Sequence, residues 1–160
     1  MKFLADGMLG KLTRWLRMIG CDVKYFRNLK DEDLIGISIR ENRILLTRDM
    51  NLFRRALSKG ASAFLVKGRD EVEKLSMVAK RFNLDLEIDV KNSRCPKCNA
   101  RIHPVSKNKI REKIPPGTLK FYDKFWECPK CGQIYWRGSH WKKINRTLLE
   151  ASKMMENLKE

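Results

Sequence analysis

The stretch that decides the fold is residues 2–20, which read KFLADGMLGKLTRWLRMIG. Residues 2–5, in which three apolar residues follow Lys2, predict a short buried strand ending at Asp6. The pattern then changes to helical periodicity, and Gly20 is a typical helix stop. An apolar stripe and a basic stripe lie on opposite sides of this predicted helix, so one side is expected to face the core and the other the solvent. The apolar stripe contains Leu9, Leu12, Leu16 and Ile19, and the basic stripe contains Lys11, Arg14 and Arg17.

Strand and helix patterns alternate along the first half of the chain. Each predicted strand is a short apolar run, and the longer predicted helices carry apolar residues at intervals of three or four. Because strands that alternate with helices form parallel sheets, we expect an α/β fold with a parallel sheet flanked by helices. The further strands are predicted at residues 21–26, 43–47 and 63–66, and the helices at 31–39, 52–57 and 72–82.

Two identical tetrapeptides, CPKC, occur at residues 95–98 and 128–131 and contain four of the five cysteines. Each Cys-x-x-Cys turn can point two thiolates at one ion, and two such turns complete the tetrahedral shell of a structural Zn²⁺ site. The alternative is a pair of disulfides, which a reducing cytosol disfavours. We therefore expect one structural zinc site, whose ligands are Cys95, Cys98, Cys128 and Cys131.

The chain is strongly basic, with 35 Lys and Arg residues against 19 Asp and Glu, a formal charge of +16 and a pI of about 9.9. This balance indicates an anionic partner, and nucleic acid is the first candidate. A membrane surface fits less well, because no segment is polybasic with an aromatic-rich apolar face, and no apolar run is long enough to span a bilayer. Since no secretory leader is recognisable after Met1, we expect a cytoplasmic protein.

Three aspartates are candidates for a second metal site. Asp6 and Asp49 each follow a predicted strand, and Asp31 begins the helix between two strands, so all three are expected at the same edge of the sheet. Carboxylates that converge repel one another unless a hard cation such as Mg²⁺ or Mn²⁺ compensates them. The alternative is that Asp6 only forms a turn and that Asp31 and Asp49 only cap helices. Asp70 is interpreted as an acid at the start of a helix, and its alternative is a role as a fourth ligand.

Several blocks of the sequence resemble one known family. They are FLADGMLGKL at residues 3–12, WLR at 15–17, LLTRD at 45–49, CG at 131–132, YW at 135–136 and GSHW at 138–141. Together they are similar to the PIN-like RNase domain called the Mut-seven carboxy-terminal family, including its zinc-ribbon ending. The resemblance implies a PIN-like α/β fold, an acidic divalent-metal pocket and cleavage of RNA. It places the family's motif aspartates on Asp6, Asp31 and Asp49, with Arg48 beside the last.

Basic residues near these aspartates are candidates for contacts with RNA phosphates. The basic stripe Lys11, Arg14 and Arg17 begins close to Asp6, and Arg48, Arg54 and Arg55 can extend the track beyond Asp49. The alternative for each of these side chains is an ordinary solvated surface.

We interpret the chain as three parts: a PIN-like nuclease domain at residues 1–90, a zinc ribbon at 91–141, and a C-terminal helix at 142–160 that packs on the body. The predicted function is a metal-dependent endoribonuclease that uses Mg²⁺ or Mn²⁺ to cleave single-stranded or structured RNA, with the zinc ribbon assisting RNA binding. The alternative is a non-catalytic RNA-binding protein on the same scaffold. A PIN-type toxin fits less well, since such toxins are usually compact and lack a ribbon.

Overall fold

A parallel four-stranded sheet forms the first part of the computed structural model, which describes residues 1–158. The strand order is β2-β1-β3-β4, and all three neighbouring pairs are parallel. The predicted α/β fold with a parallel sheet is therefore confirmed. The strands are β1 (Lys2–Ala5), β2 (Asp22–Tyr25), β3 (Ile44–Thr47) and β4 (Ala63–Leu65).

Four helices cover the two faces of this sheet. Side chains alternate across the strands, so Phe3 and Leu46 pack on one face while Leu4 and Leu45 pack on the other. The first face is covered by α1 and α4, and the second by α2 and α3. These helices are α1 (Gly10–Met18, after a 3₁₀ turn at Gly7–Leu9), α2 (Asp31–Glu41), α3 (Met50–Ser58) and α4 (Glu71–Phe82).

The second part of the chain contains a small antiparallel sheet with the cysteines beside it. Its strand order is β5-β6-β7, and the excursion between the two CPKC turns folds into β5, two short helices and β6. Trp126 and Ile102 pack with Cys95 and Cys128, so the core of this module surrounds the thiols. The elements are β5 (His103–Val105), α5 (Lys107–Ile110), α6 (Pro116–Phe121), β6 (Phe125–Glu127) and β7 (Ile134–Tyr135).

A long C-terminal helix, α7 (His140–Asn157), returns to the parallel sheet and packs against α4. Leu148 and Ala151 are buried in the core that α1 and α4 share, and Ile144 and Met155 pack at its border. The helix begins two residues before the predicted start at 142, and residues 159–160 of the predicted segment lie outside the described residues. Within residues 1–158, no helix is both long enough and apolar enough to cross a membrane.

Helix α1 departs from the prediction at Arg17. The prediction that Arg17 lies on the exposed basic stripe is wrong, because its side chain is only 6% exposed. Lys11 and Arg14 are exposed as expected. Arg17 is covered by the first CPKC turn, which lies far away in sequence, so the periodicity of the helix alone could not reveal its burial.

Candidate metal sites and nucleic-acid interface

The four CPKC cysteines form one compact cluster whose sulfur atoms all lie within 4.8 Å of one another. The Sγ atoms of Cys95 and Cys131 are 3.6 Å apart, and those of Cys98 and Cys128 are 3.3 Å apart. Tetrahedral Zn²⁺ with Zn–S bonds of about 2.3 Å requires sulfur separations of roughly 3.8 Å, whereas a disulfide bond measures about 2.05 Å. The donor set and its spacing therefore fit a zinc ion.

Neighbouring groups make hydrogen-bonding contacts with two of these sulfurs, Cys128 Sγ and Cys95 Sγ. The backbone N–H of Cys131 donates to Cys128 Sγ at 3.4 Å. Burial raises the pKa of Cys128, but hydrogen bonds from nearby backbone amides outweigh it and bring the value to about 7. The Tyr135 hydroxyl lies 2.9 Å from Cys95 Sγ. Burial and then this contact raise the pKa of Tyr135, so the phenol stays protonated and can donate to the thiolate.

The first CPKC turn, residues 95–98, which we call the first knuckle, is held against the parallel sheet by Arg17. The guanidinium donates through Nε and Nη2 to Val23 O, at 3.0 and 2.8 Å, and through Nη1 to Pro96 O at 2.9 Å. Burial lowers the pKa of Arg17, and the nearby thiols of Cys98 and Cys95 act in the opposite direction. A zinc ion held by four thiolates would carry a net charge of −2, which this cation would offset in part.

Asn99, directly after the first knuckle, makes a second connection to the parallel sheet. Its side-chain oxygen accepts from the backbone N–H of Val23 at 3.0 Å, and its Nδ2 donates to Asp22 Oδ1 at 2.7 Å. The backbone N–H of Arg94 also donates to Arg17 O at 2.9 Å. The first knuckle is therefore joined to both α1 and β2.

Replacing Arg17 with Met is expected to destabilise the protein by about 2–5 kcal/mol, because three hydrogen bonds from a buried cation to backbone carbonyls are lost. The matched control is Arg14→Met on the exposed side of the same helix, which should stay within about 0.5 kcal/mol of the wild type. Urea unfolding monitored by circular dichroism measures both values. Equal stability of the two variants would contradict this role of Arg17.

Asp6 and Asp49 lie at the ends of neighbouring strands and are linked through Thr47. The Thr47 hydroxyl donates to Asp6 Oδ2 at 2.9 Å and accepts from the Asp49 backbone N–H at 3.0 Å. Asp6 Oδ1 also accepts from the Gly7 N–H at 2.6 Å, and Asp49 Oδ1 caps α3 by accepting from the N–H groups of Asn51 and Leu52. Thr47 is fully buried, and the sequence analysis gave it no role although it stands in the LLTRD block.

Asp31 lies at the start of α2, where its carboxylate is paired with a cation. Arg55, on α3, contacts Asp31 Oδ2 at 3.2 Å and Glu32 Oε1 at 3.0 Å. An RNA contact by Arg55 stays a prediction, and it would require these ion pairs to open.

The expected convergence of Asp6, Asp31 and Asp49 is not seen in this conformation. Among residues 1–158, the four cysteines are the only group of three or more His, Cys, Asp or Glu side chains arranged to hold a metal ion. Asp6 and Asp49 nevertheless offer oxygen ligands at one edge of the sheet. Mg²⁺ keeps several of its waters and is commonly held by one or two carboxylates, so this smaller donor set still fits it.

An open cleft of about 790 Å³ adjoins Asp6, and we call it the basic cleft. It lies between α1, the end of β2 and the first knuckle. Gly7 and Met8, which directly follow Asp6, are part of its wall, so the cleft and the aspartate share one edge of the sheet. The side chains that line it include Met8, Lys11, Arg14, Tyr25, Arg27, Glu71 and Lys97.

Glu71 is a carboxylate of this cleft that the sequence analysis missed. Its Oε1 pairs with Lys74 at 3.0 Å, and its Oε2 is buried without a hydrogen-bond partner among residues 1–158. Asp70, the predicted candidate for a fourth ligand, instead caps α4 by accepting from the Glu73 N–H at 2.9 Å. The position of Glu71 at the start of α4, the helix that follows the fourth strand, was the available signal.

The remaining predicted RNA contacts lie beyond Asp49. Arg48 is exposed, and its Nη1 donates to Gly68 O at 2.9 Å. Arg54 is exposed on α3. Both side chains are accessible to a polyanion.

Comparison with known proteins gives one match. The model of the Mut7-C RNAse domain family matches residues 1–148. No curated protein and no solved structure matches significantly.

Proposed function

Because the chain belongs to the Mut7-C RNase domain family, we propose that it is an endoribonuclease that depends on Mg²⁺ or Mn²⁺. The observation that carries this proposal is the Asp6–Thr47–Asp49 arrangement beside the basic cleft. It puts two carboxylates next to a surface suited to a phosphate backbone. A ribonuclease needs both features, because a phosphodiester must be held and its charge stabilised while it is cleaved.

The residues have separate roles in this proposal. Asp6 and Asp49 hold the divalent ion, and Asp31 can join them only by leaving Arg55. An ion held there supplies an ionised water and neutralises charge on the phosphodiester. Thr47 keeps the Asp6 carboxylate oriented through its hydroxyl.

The basic residues orient the substrate. Lys11 and Arg14 hold phosphates in the basic cleft, and Arg48 and Arg54 extend the contact beyond Asp49. Arg17 is withdrawn from this set, because it is buried and bonded to backbone carbonyls.

We assign the nuclease unit to residues 1–90, the zinc ribbon to 91–141 and a packing role to the helix that follows. The zinc ion is structural, because four cysteines leave no ligand position open for a water or a substrate. A cytoplasmic location is part of the same proposal, since a reducing compartment keeps the four thiols available for zinc.

A second candidate function is RNA binding without cleavage. It is favoured by the ion pair between Asp31 and Arg55, which occupies one of the three carboxylates with a protein cation. Both functions predict RNA binding, so only cleavage separates them.

The proposal predicts that cleavage depends on an added divalent ion while zinc stays bound. Protein freed of Mg²⁺ and Mn²⁺ by dialysis, with its zinc content verified, should leave single-stranded RNA intact, and either ion should restore cleavage. Gel analysis of end-labelled RNA measures this. RNA that stays intact under all conditions would favour RNA binding without cleavage. Cleavage at the same rate with and without added Mg²⁺ or Mn²⁺ would contradict the metal-dependent mechanism.

A further inference from the structure

The basic cleft is built by two parts of the chain that lie far apart in sequence. One wall carries Lys11 and Arg14 from α1, and Arg27 follows β2 at its edge. The opposite wall is the first knuckle, which contributes Pro96 and Lys97. Together with the largely buried Arg17, five cations and the carboxylate of Glu71 line one cleft beside Asp6, and neither part supplies all five cations.

The position of the knuckle wall is determined by hydrogen bonds rather than by a flexible loop. Arg17 binds Pro96 O at 2.9 Å, directly beside Lys97, and Asn99 binds the backbone and side chain of β2. The Lys97 ammonium itself donates to Gln133 Oε1 at 2.7 Å, which connects it to the segment after the second knuckle. The cysteines on both sides of Lys97 belong to the zinc cluster, so the metal is expected to hold this wall in place.

The two identical CPKC turns are not equivalent in the structure. Lys97 of the first knuckle lines the basic cleft, whereas the corresponding residue of the second knuckle, Lys130, is exposed and lies outside the cleft lining. The tetrapeptides are identical but their flanks differ, and Asn99 after the first one, where the second has Gly132, contributes to the docking that separates the two lysines.

The chemistry of the cleft suits an unpaired strand. Tyr25 supplies an aromatic ring, which its hydroxyl anchors by donating to Gly7 O at 2.8 Å. Met8 adds a side chain that is 62% exposed at the same wall. Cations that follow a backbone, together with apolar and aromatic surfaces for unstacked bases, are typical of sites that bind single strands, whereas duplex RNA keeps its bases stacked and paired.

We propose that the first zinc knuckle forms one wall of a binding cleft for single-stranded RNA, in which Lys97 and Arg27 hold the phosphate backbone opposite Lys11 and Arg14. The inference rests on the proposed function for the identity of the polyanion as RNA. It adds two contact residues and gives the zinc ion a role in substrate binding through the position of Lys97.

The test compares Lys97→Gln with Lys130→Gln. Each variant removes one positive charge from the same position of one of the two identical CPKC turns. Binding of a fluorescent, unstructured single-stranded RNA is measured by anisotropy over a series of salt concentrations. Mg²⁺ and Mn²⁺ are omitted, so that cleavage does not enter the measurement. Zinc content is measured for each variant, to establish that the knuckle is intact.

Lys97→Gln should weaken binding and reduce the slope of log affinity against log salt by about 0.7, the value for one phosphate contact on a single strand. Arg27→Gln should act in the same way, and Lys130→Gln should leave the slope unchanged. Equal effects of the two lysine variants, or equal affinity of the wild type for a duplex of the same length, would overturn the inference.

Two further results separate this inference from the proposed function. Binding that responds to Lys97→Gln in a protein that never cleaves RNA would support the cleft and reject the nuclease. If the protein cleaves RNA with a divalent ion but its RNA affinity is unchanged by both Lys97→Gln and Arg27→Gln, the nuclease function is supported and the proposed cleft is rejected.

Discussion

Replacing Asp49 with Asn is expected to reduce the rate of RNA cleavage by at least ~10²-fold, because it removes the charge of a proposed metal ligand that follows β3. The fold should survive the change, since Asn caps a helix about as well as Asp does. The affinity for RNA should hold or rise slightly, because a negative charge near the phosphates is lost. Loss of cleavage with unchanged binding is the pattern expected for a catalytic group.

The matched control for this variant is Asp89→Asn. Asp89 is also an exposed aspartate with a turn-capping role, accepting from the Lys91 N–H at 3.1 Å, but it lies in the connection between the two modules. Single-turnover cleavage with Mn²⁺ measures the rates, and thermal melting verifies the folds. If the wild type and Asp49→Asn degrade RNA equally, the activity belongs to a contaminating nuclease or to other residues, and the assignment of Asp49 fails.

Replacing Cys128 with Ser is expected to remove the zinc ion and unfold the ribbon module. Cys128 is fully buried in a small cluster with Cys95, Ile102 and Trp126, and this cluster is too small to form a stable core without its metal. The apparent binding free energy of structural zinc in comparable modules is about 10–16 kcal/mol, as large as the whole stability of a typical domain, so a module that loses the ion is not expected to stay folded.

Cys21→Ala is the control for the zinc experiment. Cys21 is buried in the core beside α1, and burial raises the pKa of its thiol to about 11, as expected for a residue that packs rather than binds metal. This variant should keep one zinc ion per chain by metal analysis. Hydrogen exchange should show residues 91–141 protected in Cys21→Ala and unprotected in Cys128→Ser. Full zinc content and an unchanged melting curve for Cys128→Ser would contradict the ligand assignment.

The Cys128→Ser substitution should also affect the parallel-sheet unit. Pro96 accepts a hydrogen bond from Arg17, so loss of the knuckle exposes a buried guanidinium of the parallel-sheet unit. We therefore expect part of the destabilisation to reach α1, although no zinc ligand lies on that helix.

Local patterns determined the α/β alternation, the helix that ends before Gly20 and the pairing of the two CPKC turns. The first two depend on residues close in sequence, through an apolar run and a spacing of three or four. The pairing of the two turns follows instead from the number of ligands that a tetrahedral zinc site requires. The prediction that Asp6 and Asp49 lie at one edge of the sheet follows from a general rule, because the carboxyl ends of parallel strands meet there; that their strands are neighbours is seen only in the structure.

Only the tertiary structure decided which side chains those patterns leave exposed. Arg17 follows the same helical spacing as Arg14, yet the first knuckle buries it, because Pro96 O and Val23 O can accept its hydrogen bonds. Asp31 is paired with Arg55 because α2 and α3 share one face of the sheet. Lys97 and Lys130 occupy identical tetrapeptides, and they differ because the first knuckle and its flanking residues dock on α1 and β2. The sequence by itself determined the alternating strands and helices of the first module and the four-cysteine pattern, whereas contacts between distant segments decided the elements of the ribbon and which charges are buried, paired or exposed.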